Sequence, residues 1–209
     1  MIDIHSHLLP GIDDGVQTEE AAKKILSLYE STGITRIVCT PHLGHPFVKT
    51  NILKIRDSFT WFKTVAESYG IEVILGSELY IGPDKTKFIP FLNKFLLVET
   101  SMRVEPLFLL DRIFELQLKG FDIIFAHVER FSWLSVSSPT ALRLREMGVY
   151  FQVNIQGVEN GGADQYFKEK WVDFIATDNH GTSRRAPVNL EIFHEYPEIM
   201  ARSKRILNL

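Results

Sequence analysis

The side chains with the clearest chemical capacity in this chain are histidines and carboxylates that recur just after short apolar runs. His5 and His7 follow residues 2–4, His42 follows residues 34–39 in Thr40-Pro41-His42, and Glu78 follows residues 71–75 in Gly76-Ser77-Glu78. Glu99 closes residues 95–98, His127 closes residues 123–126, and Asp178 and His180 follow residues 172–176. Of seven histidines, only His45 and His194 stand apart from this pattern. One histidine at such a place is ordinarily a hydrogen-bonded structural residue. So many costly polar groups at equivalent points call for partners or for metal ions. His5 and His7, two apart in an extended segment, point to one side and can reach one ion. Asp178 and His180 share that spacing, with the option of serving two neighbouring ions. Mixed imidazole and carboxylate donors suit Mn²⁺, Zn²⁺ or Fe²⁺ and disfavour copper(I), which favours thiolates. The set exceeds what one tetrahedral ion uses, which implies two or three ions. No glycine-rich phosphate loop and no nucleophilic serine or cysteine motif stands out.

Those groups need a scaffold, and the glycines reveal it. A helical pattern with Ala22, Ile25, Leu26 and Tyr29 on one face ends at Gly33, and a second with Ile52, Ile55, Phe59, Phe62 and Val65 ends at Gly70. A third, starting near Glu105-Pro106, carries Leu107, Leu110, Ile113, Phe114 and Leu118 and ends at Gly120. A fourth opens with Ser138-Pro139, carries Leu142 and Met147, and ends at Gly148. Glycine just past a helix relieves the left-handed backbone there, and proline fits the first helical turn. After each glycine comes a short apolar run: 34–39, 71–75, 123–126 and 149–153. With 2–4, 95–98 and 172–176 these make seven candidate strands in alternating αβ order, an α/β fold with a parallel sheet. The link 80–94 shows no long helix. Seven strands in about 200 residues predict a distorted (β/α)7 TIM-like barrel in a single domain, 1–209, with an open sheet as the alternative. Every metal-capable residue named above then lies at a strand's C-terminal end, and in βα barrels those ends share one face.

The remaining composition narrows the setting. The chain has 209 residues, 45% hydrophobic and 23% charged, which suits a soluble domain with a full core. A formal charge of −3 leaves no basic footprint for nucleic acid. Cys39, the lone cysteine, sits in an apolar run and reads as a buried strand residue. The N-terminus shows no signal-peptide pattern and the apolar runs are too short to span a bilayer, so no membrane insertion and a cytoplasmic location are expected. The oligomeric state stays open.

At these residues the sequence resembles the polymerase and histidinol phosphatase (PHP) superfamily. The opening Met1-Ile2-Asp3-Ile4-His5-Ser6-His7-Leu8-Leu9-Pro10-Gly11-Ile12-Asp13-Asp14-Gly15 is similar to the bacterial tyrosine-protein phosphatases associated with capsule and exopolysaccharide loci. Thr40-Pro41-His42, Gly76-Ser77-Glu78, Leu97-Val98-Glu99, Ala126-His127-Val128-Glu129-Arg130 and Ala176-Thr177-Asp178-Asn179-His180 follow in the same order. The likeness runs from Met1 to about Pro187. It implies a barrel of the PHP type and three ions: one held by His5, His7, Glu78 and Asp178, a second by Glu78, Glu99 and His127, and a third by Asp14, His42 and His180. Asp13 is the neighbouring alternative to Asp14. Arg130 and Arg185 match the family's phosphate-binding arginines, with Arg184 a competitor. Val128 stands where the family usually has proline, and the segment 156–162, unlike the common capsule-phosphatase text, is expected at the substrate entrance.

The resemblance implies phosphomonoester hydrolysis with manganese, and with iron(II) or zinc as alternatives. Its partner would be a phosphotyrosine-containing protein, a bacterial tyrosine kinase in the control of polysaccharide synthesis. Taken singly, each arginine is more commonly a surface ion-pair residue. His45 reads as a loop or lid residue and a candidate proton donor, His194 as a helix-surface residue, and Glu129 as a carboxylate behind the site. Phe59, Trp61 and Phe62 read as helix packing rather than base stacking. Two other functions compete: a small-molecule phosphatase of the histidinol phosphate type, and a non-catalytic metal-binding regulatory module.

Overall fold

The computed structural model describes residues 1–181 and 188–209, so Arg184 and Arg185 lie outside the described residues. The strands are β1 (Ile2–Ser6), β2 (Arg36–Cys39), β3 (His42–Leu43), β4 (Glu72–Leu75), β5 (Glu78–Tyr80), β6 (Phe95–Glu99), β7 (Asp122–Phe125), β8 (Tyr150–Asn154) and β9 (Val172–Ala176). Every ladder is parallel. One sheet has the order β1-β2-β4 and the other β3-β5-β6-β7-β8-β9.

Beyond each of two predicted runs, 34–39 and 71–75, the chain breaks and resumes as a second short half, β3 and β5, that carries His42 and Glu78. β2 and β3 flank Thr40-Pro41, where proline has no N–H to donate to a ladder. β4 and β5 flank Gly76-Ser77, and Gly76 packs so tightly that a Cβ there would lie 3.2 Å from the Phe91 ring. The halves therefore pair in different sheets while the path of the chain continues around one ring. β1 meets the end of β9 through an isolated parallel bridge between Ser6 and Asn179. His7 N donates to Asn179 O and Asp178 N donates to His5 O, each at 2.9 Å. The result is a distorted parallel βα barrel whose seam is held by a few bonds rather than a full ladder.

The helices are α1 (Glu19–Ser31), α2 (Ile55–Glu67), α3 (Leu109–Leu118), α4 (Pro139–Glu146), α5 (Ile155–Glu159), α6 (Asp164–Lys168), α7 (Ile192–Glu195) and α8 (Pro197–Leu207). Thr18 caps α1 by accepting from Ala21 N–H, and Ser138 caps α4 by accepting from Ala141 N–H. Gly33 and Gly120 follow their helices with φ of +78° and +89°, the left-handed backbone that glycine tolerates. α3 departs from the sequence reading. It begins at Leu109, and it buries Leu109, Ile113 and Leu116, whereas Leu107, Phe114 and Leu118 are exposed. Two apolar stripes coexist on that segment, and packing onto β7 selects one. Ile52 is likewise exposed, in a 3-10 turn ahead of α2. No helix occurs in residues 81–94, as expected. Among the described residues no helix is long and apolar enough to cross a membrane.

Apolar packing forms two layers. The barrel interior holds Ile2, Ile4, Val38, Phe95, Leu97, Ile124, Phe174 and Ala176, while the larger cluster lies between strands and helices and contains Tyr29, Cys39 and Phe62. Strand side chains alternate between these layers. On β1 the alternation breaks. Asp3 pairs with Ile37 but Ser6 with Cys39, so β1 carries one extra residue there. Such a bulge re-aims side chains, so that His5 turns to the mouth of the barrel although its neighbour Ile4 already faces the interior.

Asp3 secures that bulge. Its Oδ1 accepts from Thr177 N–H at 3.1 Å and His5 N–H at 3.4 Å, and its Oδ2 from Tyr29 OH at 2.9 Å and Thr177 Oγ1 at 2.6 Å. Burial raises its pKa, and these hydrogen bonds oppose the rise. Asp3→Ala strands several buried donors at the seam and is expected to lower stability by about 3 kcal/mol or more, with Asp3→Asn losing less. Urea unfolding of the metal-free protein measures both, and a loss below about 1 kcal/mol for Asp3→Ala refutes the assignment.

Candidate metal centre

His5 lies within β1 and His7 just beyond it. His42 opens β3, Glu78 opens β5, Glu99 ends β6, His127 follows β7, and Asp178 and His180 follow β9. All are buried; His42, Glu78, Glu99, His127, Asp178 and His180 line one mouth of roughly 470 Å³ together with Asp14, His45, Val48, Met102 and Arg130, and His5 and His7 stand beside it, each 3.3 Å from Glu78 Oε2. His127 and Asp178 adopt φ of +35° and +49°, sparsely populated for such residues, and both turn a side chain off a strand end into the mouth.

Glu78 occupies the centre. Its Oε1 lies 2.9 Å from His127 Nε2, and its Oε2 has His42 Nδ1 at 3.0 Å and His5 and His7 Nε2 both at 3.3 Å. Despite these neighbours Oε2 makes no hydrogen bond of acceptable geometry. His5 and His7 point their Nε2 atoms at each other, 3.1 Å apart. Imidazole lone pairs and carboxylate oxygens facing inward at this spacing are a donor set suited to a cation. Three groups can each converge on a point: His7, Asp14, His42 and His180; His5, His7 and Asp178; and His42, Glu78 and Glu99. The groups share His7 and His42, so adjoining cations would share walls. His127 stands next to the third group, 3.7 Å from Glu99 Oε2.

The two neighbouring aspartates part company. Asp14 Oδ1 faces His42 Nε2 at 3.5 Å and His180 Nε2 at 3.6 Å. Asp13 Oδ2 instead accepts from His7 Nδ1 at 2.8 Å and from His42 N–H at 3.1 Å, behind the imidazoles. Arg130 Nη1 donates to Asp178 Oδ2 at 3.0 Å from the rim. His45 lies at the mouth with its ring edge against Tyr80, 5.2 Å between centroids. His194, on α7, is exposed, and its Nε2 lies 3.0 Å from Thr32 O.

Residues 1–196 match the family model for capsular polysaccharide synthesis, CpsB/CapC. This chain belongs to the CpsB/CapC family. It is 28% identical over 211 residues to the tyrosine-protein phosphatase CpsB of Streptococcus pneumoniae, covering 90% of this chain and 86% of that protein. A solved structure from the pair YwqE of Bacillus subtilis and CpsB of S. pneumoniae, described as metal-dependent tyrosine phosphatases, superposes with a TM-score of 0.82. That match is 22% identical and covers 100% of this chain and 91% of the other. Histidinol phosphate phosphatase of Lactococcus lactis, solved with zinc, L-histidinol and phosphate, gives a TM-score of 0.60 at 12% identity, covering 97% and 94%. The PHP-type barrel expected of a CpsB/CapC protein is thus the fold observed.

Electrostatics in this CpsB/CapC site follow from burial and crowding. Burial penalises charge on Glu78, yet His5 and His42 overcome it and hold the carboxyl well below its usual range. Burial likewise opposes charge on His42, and Glu78 outweighs it, pushing the imidazole up to about 10. Glu99, crowded by Glu78 after the cost of burial, is raised. Glu78 and His42 each favour the other's charged form while Glu78 disfavours that of Glu99, so removing one disturbs the set.

Sequence reasoning missed Gln152 and Asn154, both buried in β8. Gln152 Oε1 lies 3.0 Å from His5 Nδ1, and Asn154 Nδ2 donates to Asp178 Oδ2 at 3.0 Å. The available signal was two amides at alternate positions of an otherwise apolar strand, which places both on the inner face. Residues 156–162 begin in α5, where Gln156 and Glu159 line a cleft with Asp178, His180 and Val188.

Glu129 is half-buried beside α5 with its carboxyl end enclosed, its Oε1 accepting from Asn154 N–H at 3.2 Å, and a Cβ on Gly157 would lie 2.4 Å from its Cγ. Burial pushes its carboxyl up to about 7, against the pull of the backbone N–H groups and Arg130. The native state therefore holds that proton longer than the unfolded chain, and its stability falls as pH rises from the usual carboxylate range through about 7. Glu129→Gln is expected to be more stable than the parent at about pH 8, with the difference shrinking towards about pH 5. Urea midpoints in EDTA measure it; a difference independent of pH contradicts the assignment.

Proposed function

We propose that this chain, residues 1–209 acting as one domain, is a metal-dependent phosphomonoester hydrolase acting on phosphotyrosine in a protein, a bacterial tyrosine kinase of polysaccharide synthesis. The observation that carries the reading is the inward-facing donor set around Glu78, with the His5 and His7 Nε2 atoms 3.1 Å apart. His5, His7, Asp14, His42, Glu78, Glu99, His127, Asp178 and His180 hold two or three divalent cations in this reading, manganese first, with iron(II) or zinc as alternatives. Cations held there would neutralise charge on phosphoryl oxygens and lower the pKa of water, so that hydroxide is available near neutral pH.

The chain's own residues complete the chemistry. Arg130, with its guanidinium at the rim and one N–H tied to Asp178, retains a fork of donors for the charge that develops on phosphoryl oxygen. Arg185 is assigned the same role and lies outside the described residues. Burial of the donor set excludes bulk water and strengthens each of these interactions. Val48 and Met102 give the mouth an apolar side, and Phe47, beside His45 with 6.0 Å between ring centroids, is 90% exposed at that edge. Such a wall suits the aryl ring of phosphotyrosine better than a polar leaving group.

The manganese-loaded protein is expected to hydrolyse p-nitrophenyl phosphate and a phosphotyrosine peptide, with activity lost in EDTA and in His127→Ala. Arg130→Ala is expected to lower kcat/KM by roughly 100-fold or more while leaving bound metal unchanged. Steady-state kinetics with elemental analysis reads both. Faster turnover of histidinol phosphate than of the peptide reassigns the substrate to a small metabolite. An inert, fully loaded protein reduces the site to a regulatory metal module.

A further inference from the structure

Around the mouth, β1, β3, β5, β6, β7 and β9 each carry an imidazole or a carboxylate within the strand or just beyond it, whereas β8 carries neither. Its two inward polar side chains are amides, Gln152 and Asn154, buried and joined to each other, Gln152 Nε2 donating to Asn154 Oδ1 at 2.8 Å. Their orientation is fixed by groups with no choice of role. The His127 backbone N–H can only donate, and it meets Gln152 Oε1 at 3.0 Å. That atom is therefore the amide oxygen. The same oxygen lies 3.0 Å from His5 Nδ1, so Nδ1 must carry a proton. In the neutral ring Nε2 is then a bare lone pair, and it is Nε2 that faces His7 Nε2 at 3.1 Å, Glu78 Oε2 at 3.3 Å and Asp178 Oδ1 at 3.5 Å.

The other end of the pair acts on the carboxylate. Asn154 Nδ2 donates to Asp178 Oδ2, which Arg130 also contacts, and Oδ1 is left turned towards His5, His7 and His180 at 3.3–3.5 Å. His7 and His180 have their Nδ1 atoms held by other oxygens, Asp13 Oδ2 at 2.8 Å and Asp178 O at 2.9 Å. All three rings thus present Nε2 inward; His7 is held by a carboxylate, His180 by a main-chain carbonyl and His5 by the side-chain amide of Gln152. A carboxylate at position 152 would add charge to a site where Glu78, Glu99 and Asp178 already crowd, whereas an amide sets the tautomer without it.

We propose that Gln152 and Asn154 form an amide relay that fixes the tautomer of His5 and the inward-facing oxygen of Asp178, making both amides positioning residues for cation capture. The inference rests on the reading of His5 and Asp178 as ligands. Without the relay the His5 ring can flip and Asp178 can turn, so ordering them is added to the cost of every binding event.

Gln152→Met keeps length and removes the acceptor; Gln152→Glu restores an acceptor next to His5 Nδ1. Mn²⁺ affinity is measured by competition with a chelator, and the unfolding midpoint of each metal-free protein checks the fold. Gln152→Met is expected to bind Mn²⁺ roughly 10–100-fold more weakly than the parent, with Gln152→Glu recovering most of the loss. Long-range ¹H–¹⁵N correlations on the Zn²⁺-loaded, ¹⁵N-histidine-labelled parent should show His5 protonated at Nδ1, and that signature should disappear in Gln152→Met. If Gln152→Met does not fold, Asn154→Leu should show the same weakening. Parent-like affinity together with an Nδ1–H His5 in the variant overturns the relay. A parent that takes up no Mn²⁺ overturns the ligand reading itself, and the relay with it.

Discussion

A buried carboxylate between imidazoles cannot exist in isolation, and the arrangement around Glu78 shows what it demands. Its charge is tolerable only because His5, His7, His42 and His127 approach within 3.3 Å. Those residues come from β1, its extension, β3 and the turn after β7, so the cluster ties distant segments to one point. A parallel barrel meets that demand with little adjustment, since all strands run the same way and all their C-terminal ends open on one face. Local distortions then complete the aim: the extra residue in β1, the split strands at Pro41 and Gly76, and the left-handed backbone of His127 and Asp178.

Behind the inward-facing atoms stands a set of residues that never reach the mouth. Asp13 backs His7, Gln152 backs His5, Asn154 backs Asp178, and Asp3 ties the β1 bulge to Thr177 and Tyr29. Each holds a ring or carboxylate in one orientation by a hydrogen bond whose direction is chemically determined. A rigid scaffold of this kind lowers the ordering cost of capturing a cation, because the donors are already placed. The rim is treated differently. Arg130, Val48, Met102 and Phe47 combine charge and apolar surface at the entrance.

How much of this the sequence disclosed depended on the range of the physics involved. Apolar runs after glycine, capping residues such as Thr18 and Ser138, and metal-capable residues at strand ends are local signals, and the αβ order followed from them. The register of β1 was invisible, because a one-residue bulge depends on the partner strand. The face of α3 was misread, since Leu107, Phe114 and Leu118 form as good a stripe in sequence as Leu109, Ile113 and Leu116. Gln152 and Asn154 passed unnoticed because amides carry no metal-ligand signature; their role appears only when His5 and Asp178 are beside them.

By itself the sequence determined the chemistry on offer: imidazoles and carboxylates of the kind that suit cations, no evident serine or cysteine nucleophile motif, and most of these donors placed just after an apolar run. Tertiary structure decided which atom of each residue faces inward, that Asp14 rather than Asp13 looks into the mouth, and that Glu78 is shared among several imidazoles. The reason is physical. Residue type and periodicity are written along one chain, whereas the tautomer of a ring or the inward-facing oxygen of a carboxylate is set by what a different strand places behind it.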